Sequence, residues 1–122
     1  MTTRFRIARI LLAINIAVGA ALIAPGPAAA ARSDCPSGYF CVWTGTNYSG
    51  TIQRINVTNS YRAITLNATR SYYNNRSQRT WLHSSATGGG STQCINPGGS
   101  SGNTSGWQAS AKAAYLATVT SC

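Results

Sequence analysis

Four cysteines, Cys35, Cys41, Cys94 and Cys122, limit what this chain can fold into more than any other feature. They follow a leader that reads as an export signal. Arg4, Arg6 and Arg9 form a positive start with no acid beside them, and Ile10 to Ala24 is apolar except for Asn15 and Gly19. Pro25-Gly26-Pro27 then leads into four alanines, Ala28 to Ala31. That order is the one signal peptidase recognises. The apolar run is shorter than the ~20 residues a transmembrane helix needs, it ends in helix breakers, and no later segment is apolar enough to span a bilayer. Residues 1–31 are therefore expected to be a signal peptide cut after Ala30 or Ala31; a retained anchor is the competing reading. Residues 32–122 would be one secreted domain of 91 residues with no stable membrane insertion after cleavage.

A domain of that size has a small core and gains from cross-links. An even number of cysteines in an exported chain points to two disulfides rather than a metal site. Three pairings are open. Pro36-Ser37-Gly38 is a turn-forming stretch able to bring Cys35 and Cys41 together, which favours Cys35–Cys41 and Cys94–Cys122. The second bridge would hold the last residue and close a long loop, worth ~3 kcal/mol in the chain-entropy model.

Charge is one-sided. Arg32, Arg54, Arg62, Arg70, Arg76, Arg79 and Lys112 face a single acid, Asp34, so the domain carries +6, and glutamate is absent from the chain. The balance favours acidic partners: an acidic protein, anionic cell-wall polymers or a membrane surface. The bland alternative is solubility, because the arginines are scattered singly rather than clustered.

After the leader, short apolar runs alternate with turn formers. Tyr39 to Trp43, Ile52 to Val57, Ser71 to Tyr73, Arg79 to Leu82 and Tyr115 to Val119 are candidate strands, which points to an all-β sandwich. Trp107, Ala111, Ala114 and Tyr115 fall at helical spacing and predict a short helical turn before the last strand. Thr87 to Thr92 and Asn96 to Gly106 are loop-like, and the Cys94–Cys122 bridge would hold their ends. Sequons such as Asn47, Asn67 and Asn75 are expected by chance in so polar a chain.

A weak repeat has a period of forty: Val42 to Gly50 reads VWTGTNYSG and Leu82 to Gly90 reads LHSSATGGG. In the first copy Trp43, Tyr48 and Gly50 fit a folded hairpin in which two rings stack and a glycine takes an unusual backbone angle. In the second, His83 and Gly88 stand where the rings were, so the stack is expected to be lost.

The Trp43, Tyr48, Gly50 hairpin resembles the Greek-key signature of βγ-crystallins. CPSGYFCVWTGTNYSG, Cys35 to Gly50, is similar to the start of secreted actinobacterial peptidase inhibitors of the Streptomyces metalloproteinase inhibitor type. The blocks SYYNNRSQRTWLHSSATGGGSTQCINPG and GWQASAKAAYL resemble the same group. The resemblance implies a βγ-crystallin-like sandwich of two Greek keys, stapled by disulfides, and agrees with the strand reading. Calcium, one ligand of that superfamily, is not expected. The nearest match, Asn67 to Tyr72, has Ala68 at a ligand position and Arg70 inside it, and calcium needs several oxygen ligands.

An enzyme is not expected either. His83 is the one histidine and Asp34 the one acid; two carboxyl groups for glycoside hydrolysis are lacking, as is a nucleophile-elbow motif. No catalytic residue, cofactor or metal is assigned. An inhibitor needs only a rigid loop, since preorganisation reduces the entropy lost on binding. The resemblance places the inhibitory segment at Cys94-Ile95, with Ile95 filling an apolar pocket of a thermolysin-like metallopeptidase and Asn96 and Pro97 stiffening the loop. Against this, Ile95 could be an ordinary strand residue and Cys94 only a staple. The expected partner is an extracellular peptidase, with a monomeric inhibitor and no nucleic acid. The alternative is a cationic, killer-toxin-like protein that binds wall polymer or membrane; a third reading keeps the fold without inhibition.

Overall fold

The computed structural model describes residues 30–122, so the signal-peptide reading of residues 1–31 lies almost wholly outside the described residues. The described residues form eight strands: β1 (Tyr39–Trp43), β2 (Ile52–Ile55), β3 (Tyr61–Ala63), β4 (Ser71–Asn75), β5 (Thr80–His83), β6 (Thr92–Ile95), β7 (Ser100–Ser101) and β8 (Ala113–Leu116). They form two four-stranded sheets, β2-β1-β4-β7 and β3-β8-β5-β6, with antiparallel neighbours throughout. Each half of the chain is a Greek key that lends its third strand to the other half's sheet. β3 pairs with β8, and β7 pairs with β4. This is the all-β sandwich the sequence predicts, and the exchange interlocks the two halves.

The core lies between the sheets: Phe40, Val42, Ile55, Ile64, Tyr72, Leu82, Ile95, Ala111, Ala114 and Leu116, with Leu66 and Trp107 packed against it. Strand alternation explains the inner face of β1, which supplies Phe40 and Val42. Its outer face is buried as well. Cys41 and Trp43 lie under the N-terminal segment, which Cys35 ties down through its bridge to Cys41. That second cluster is why Tyr39 to Trp43 is apolar at successive positions. Arg76, buried near the β4–β5 connection, donates to the carbonyl oxygens of Arg79 (2.8 Å) and Ala117 (2.6 Å) and to Thr80 Oγ1 (2.9 Å). Burial lowers its pKa.

Both expected disulfides form, with Cα atoms 5.8 Å apart for Cys35–Cys41 and 5.9 Å apart for Cys94–Cys122. Two local expectations change. The last strand is Ala113–Leu116 rather than Tyr115 to Val119, because the small, fully buried Ala113 and Ala114 fit between β3 and β5. The helical spacing of Trp107 and Ala111 makes a single turn, closed by Ala111 N–H donating to Trp107 O (3.2 Å). Strands β3, β6 and β7 were absent from the expected set. β3 is exposed along its whole length and so has no apolar alternation to read.

Candidate functional site

The segment singled out for inhibition, Cys94 to Pro97, runs from the end of β6 into a tight exposed turn. The inner-face alternation of β6 points Ile95 into the core, where it is 4% exposed and opposite Thr80. The expectation that its side chain fills a partner's pocket is therefore corrected: Ile95 anchors the segment. Cys94 faces outward, half-buried, and is bonded to Cys122. Asn96, Pro97 and Gly98 are exposed. Gly99 N–H donates to Asn96 O (2.9 Å), closing a turn with Pro97 and Gly98 at its centre. Proline fixes its own φ, and Gly98 takes the positive φ (74°) that such a turn needs at its third position.

Asn74 on β4, fully buried, holds the base of that turn. Its amide hydrogens are shared among the carbonyl oxygens of Gln78 (3.0 Å), Ile95 (3.1 Å) and Asn96 (3.1 Å), and its Oδ1 accepts from Thr80 Oγ1 (3.1 Å). Its backbone N–H donates to Gly99 O (2.8 Å), and its carbonyl accepts from Gly98 N–H (2.9 Å). From the other side, Cys122 N–H donates to Asn96 Oδ1 (2.9 Å). A core residue, a disulfide, a buried amide and the chain terminus thus all fix three exposed residues. Sequence reasoning missed Asn74. The one available signal was a polar residue at an inward position of the Ser71–Asn75 strand.

Beside the turn lies the outer face of the β3-β8-β5-β6 sheet. Tyr61, Tyr115, Trp81 and Cys94 are cross-strand partners and form one row over it. Tyr61 is 47% exposed, and its ring centre is 4.9 Å from that of Tyr115. The Arg79 guanidinium lies 5.5 Å above the Trp81 ring and donates to Ser121 O (2.8 Å). Tyr61, Trp81, His83, Thr92 and Tyr115 surround a shallow concavity of about 440 Å³.

The equivalent face of the other sheet is partly covered. There the N-terminal segment lies over Cys41 and Tyr73 of the row Arg54, Cys41, Tyr73, Ser100, whose outer two members stay exposed. The Arg32 guanidinium lies 5.1 Å above the Tyr73 ring, Arg54 Nε donates to Asp34 O (3.0 Å), and Asn75 Nδ2 donates to Cys35 O (2.9 Å).

The titratable residues that a catalytic reading would pair are on different sheets. The Asp34 carboxylate accepts from Ala31 N–H (2.8 Å) in the segment over the first sheet. His83 packs under Tyr61 on the second, with ring centres 5.2 Å apart. At the calcium-like stretch, Ser71 Oγ donates to Gly45 O (2.7 Å) and Arg70 donates to Thr44 O (2.7 Å).

A family model described as peptidase inhibitor family I36 matches residues 28–95, more than half of the chain. No curated protein and no solved structure matches it. The matched region takes in β1 to β6 and ends on Ile95, at the foot of the pinned turn. The chain belongs to peptidase inhibitor family I36 and is an inhibitor rather than an enzyme.

Proposed function

We propose that the protein is a secreted inhibitor of extracellular, thermolysin-like metallopeptidases, with residues 32–122 as the working domain and the segment Cys94, Ile95, Asn96, Pro97 as its inhibitory loop. The observation that carries the reading is the pinned turn. A peptidase cleft accepts an extended or turn-like chain, and a segment already fixed loses little entropy on entering it. β6 is an edge strand of its sheet, so one side of it lacks a strand partner and is free to add main-chain hydrogen bonds to a cleft. Ile95 and the Cys94–Cys122 bridge hold the loop from within and from without, while Asn96 and Pro97 meet the enzyme. The metallopeptidase class follows from the resemblance of Cys35 to Gly50 to the Streptomyces inhibitor type. Export agrees with the leader's composition and with two disulfides, which persist in oxidising compartments.

The test is titration of the oxidised protein against a thermolysin-like enzyme, with a stoichiometric end point expected. Inhibition should survive 1 M salt, where the screening length is ~3 Å, whereas binding to wall polymer or membrane by the +6 charge should collapse. Loosening the turn by Asn96→Gly with Pro97→Ala should weaken inhibition about tenfold or more through lost preorganisation. No inhibition at a large molar excess sinks the reading. Ile95→Asp is unsuitable as a probe because a charge at that core position unfolds the domain.

A further inference from the structure

We propose that the outer face of the β3-β8-β5-β6 sheet is a second contact surface for the target peptidase, docking on apolar and acidic ground beside the enzyme's cleft. The proposal rests on the inhibitor reading above. Size motivates it first. Stable protein complexes bury ~800 Å² on each partner, some 20–30 residues a side, and a turn with three exposed residues offers only a fraction of that. The adjoining surface must supply the rest.

The two outer faces differ in how much of the chain crosses them. Residues 30–38 pack over Cys41 and Tyr73 of the first sheet, whereas on the second the rings of Tyr61, Trp81 and Tyr115 line a concavity. The described residues with large exposed apolar side chains are Val57, Tyr61 and Val119. Tyr61 is in the row and Val119 follows β8 closely, while Val57 lines a separate concavity with Arg54 and Arg62. Val119 is held there by Arg79 N–H donating to its carbonyl (3.0 Å). Tyrosine, tryptophan and arginine, the types that make the row and its flank, are those that most often carry binding energy at interfaces.

Position ties this face to the inhibitory loop. The row ends on Cys94, and Asn96 lies two residues further on, ~7 Å at strand rise. Four strands at their usual spacing make the row ~14 Å across. A body that takes the turn into a cleft therefore brings its rim over Trp81 and Tyr115. Charge selects the rim. Arg79 lies over Trp81 on this face, while the one acidic side chain, Asp34, is in the segment over the other sheet.

The test is hydroxyl-radical footprinting of the unmodified oxidised protein, alone and with a thermolysin-like metallopeptidase or a subtilisin-like serine peptidase, whichever it inhibits. Ki values for Trp81→Ser and Tyr115→Ser accompany it. Expected are protection of Tyr61, Trp81 and Tyr115 in the complex and a rise in Ki of about thirtyfold for Trp81→Ser, the size typical of a hot spot, with thermal unfolding little changed. If a variant does not fold, the footprint decides. Protection confined to Asn96–Gly98, with unchanged Ki for the variants, overturns the face and leaves the inhibitor reading intact. Inhibition of the serine peptidase alone overturns the metallopeptidase class, while the footprint in that complex still judges the face. No inhibition of either enzyme overturns both, whereas protection of the rings only by an acidic polysaccharide or by a second copy of the chain overturns the face alone.

Discussion

The two hairpin corners meet one structural demand in different ways. In the first half, Tyr48 comes from the same hairpin as Trp43 and sits edge-on to it, with ring centres 5.2 Å apart and planes at 77°. In the second half, the ring over His83 belongs to Tyr61, which arrives from β3 of the first half, again 5.2 Å away and at 88°. Gly88 leaves the room: a Cβ there would lie 2.2 Å from the Tyr61 ring. The expectation that stacking is lost in the second copy is thus corrected, because the pair is rebuilt from a residue distant in sequence. Around both corners the backbone repeats. Thr44 Oγ1 accepts from Thr51 N–H (2.9 Å), and forty residues later Ser84 Oγ accepts from Ser91 N–H (2.7 Å). What the fold conserves between its halves is a ring against a ring and a hydroxyl holding the turn, wherever the second ring comes from.

If the local corner is the stronger of the two, the largest effect should come from its centre. Trp43 is fully buried between Tyr48 and the Cys35–Cys41 bridge, so Trp43→Ala should cost ~3–5 kcal/mol. His83, smaller and at the edge of an open face, should cost about 1–2 kcal/mol on the same change. Denaturant midpoints with unchanged slopes would measure both, and equal costs would break the comparison.

A borrowed ring makes a sharper prediction. Gly88→Ala should destabilise by ~1–3 kcal/mol, because the new methyl displaces Tyr61 and because Gly88 has φ of 92°. In a Tyr61→Ser background the steric part should vanish and only the backbone part remain. Penalties that simply add in the double-mutant cycle would show that Tyr61 and Gly88 do not depend on each other.

The same contrast explains what was readable in the sequence. Trp43, Tyr48 and Gly50 lie within eight residues, so their relation appears as a spacing, and the apolar runs of β1 and β5 mark buried strands. Both disulfide pairs were legible, one from its turn and the other by elimination. Tyr61 was not, since an exposed three-residue edge strand carries no pattern and its partner Gly88 lies 27 residues away. The turn at Asn96 to Gly98 was readable from its proline and glycine, but not what holds it. Ile95 reads as an apolar residue next to a cysteine, and only the register against Thr80 turns it inward. Asn74 pins the loop through contacts to Gln78, Ile95 and Asn96, a convergence with no local signature.

The smallest expected effect tests how the halves are joined rather than how each is built. Tyr72, on the inner face of β4, accepts a hydrogen bond from Gln93 Nε2 of β6 (3.2 Å); its counterpart position on β8 is Ala114, which has no such reach. Burial raises the Tyr72 pKa above its ordinary value of 10, outweighing the lowering by the Gln93 bond, and Tyr48 adds to the rise. The sign follows from proton counts. Below pH 10 the phenol is protonated in both states and the stability it contributes is intact. As pH rises past 10 the unfolded chain releases its proton first, so stability falls until the folded-state pKa is passed and then levels off. Tyr72→Phe should lose about 1 kcal/mol at neutral pH from the hydrogen bond and should also flatten that part of the alkaline decline. Unfolding curves at successive pH values measure both. An alkaline decline of unchanged size in Tyr72→Phe would mean that other groups produce it and that the Tyr72–Gln93 contact joins the halves without responding to pH.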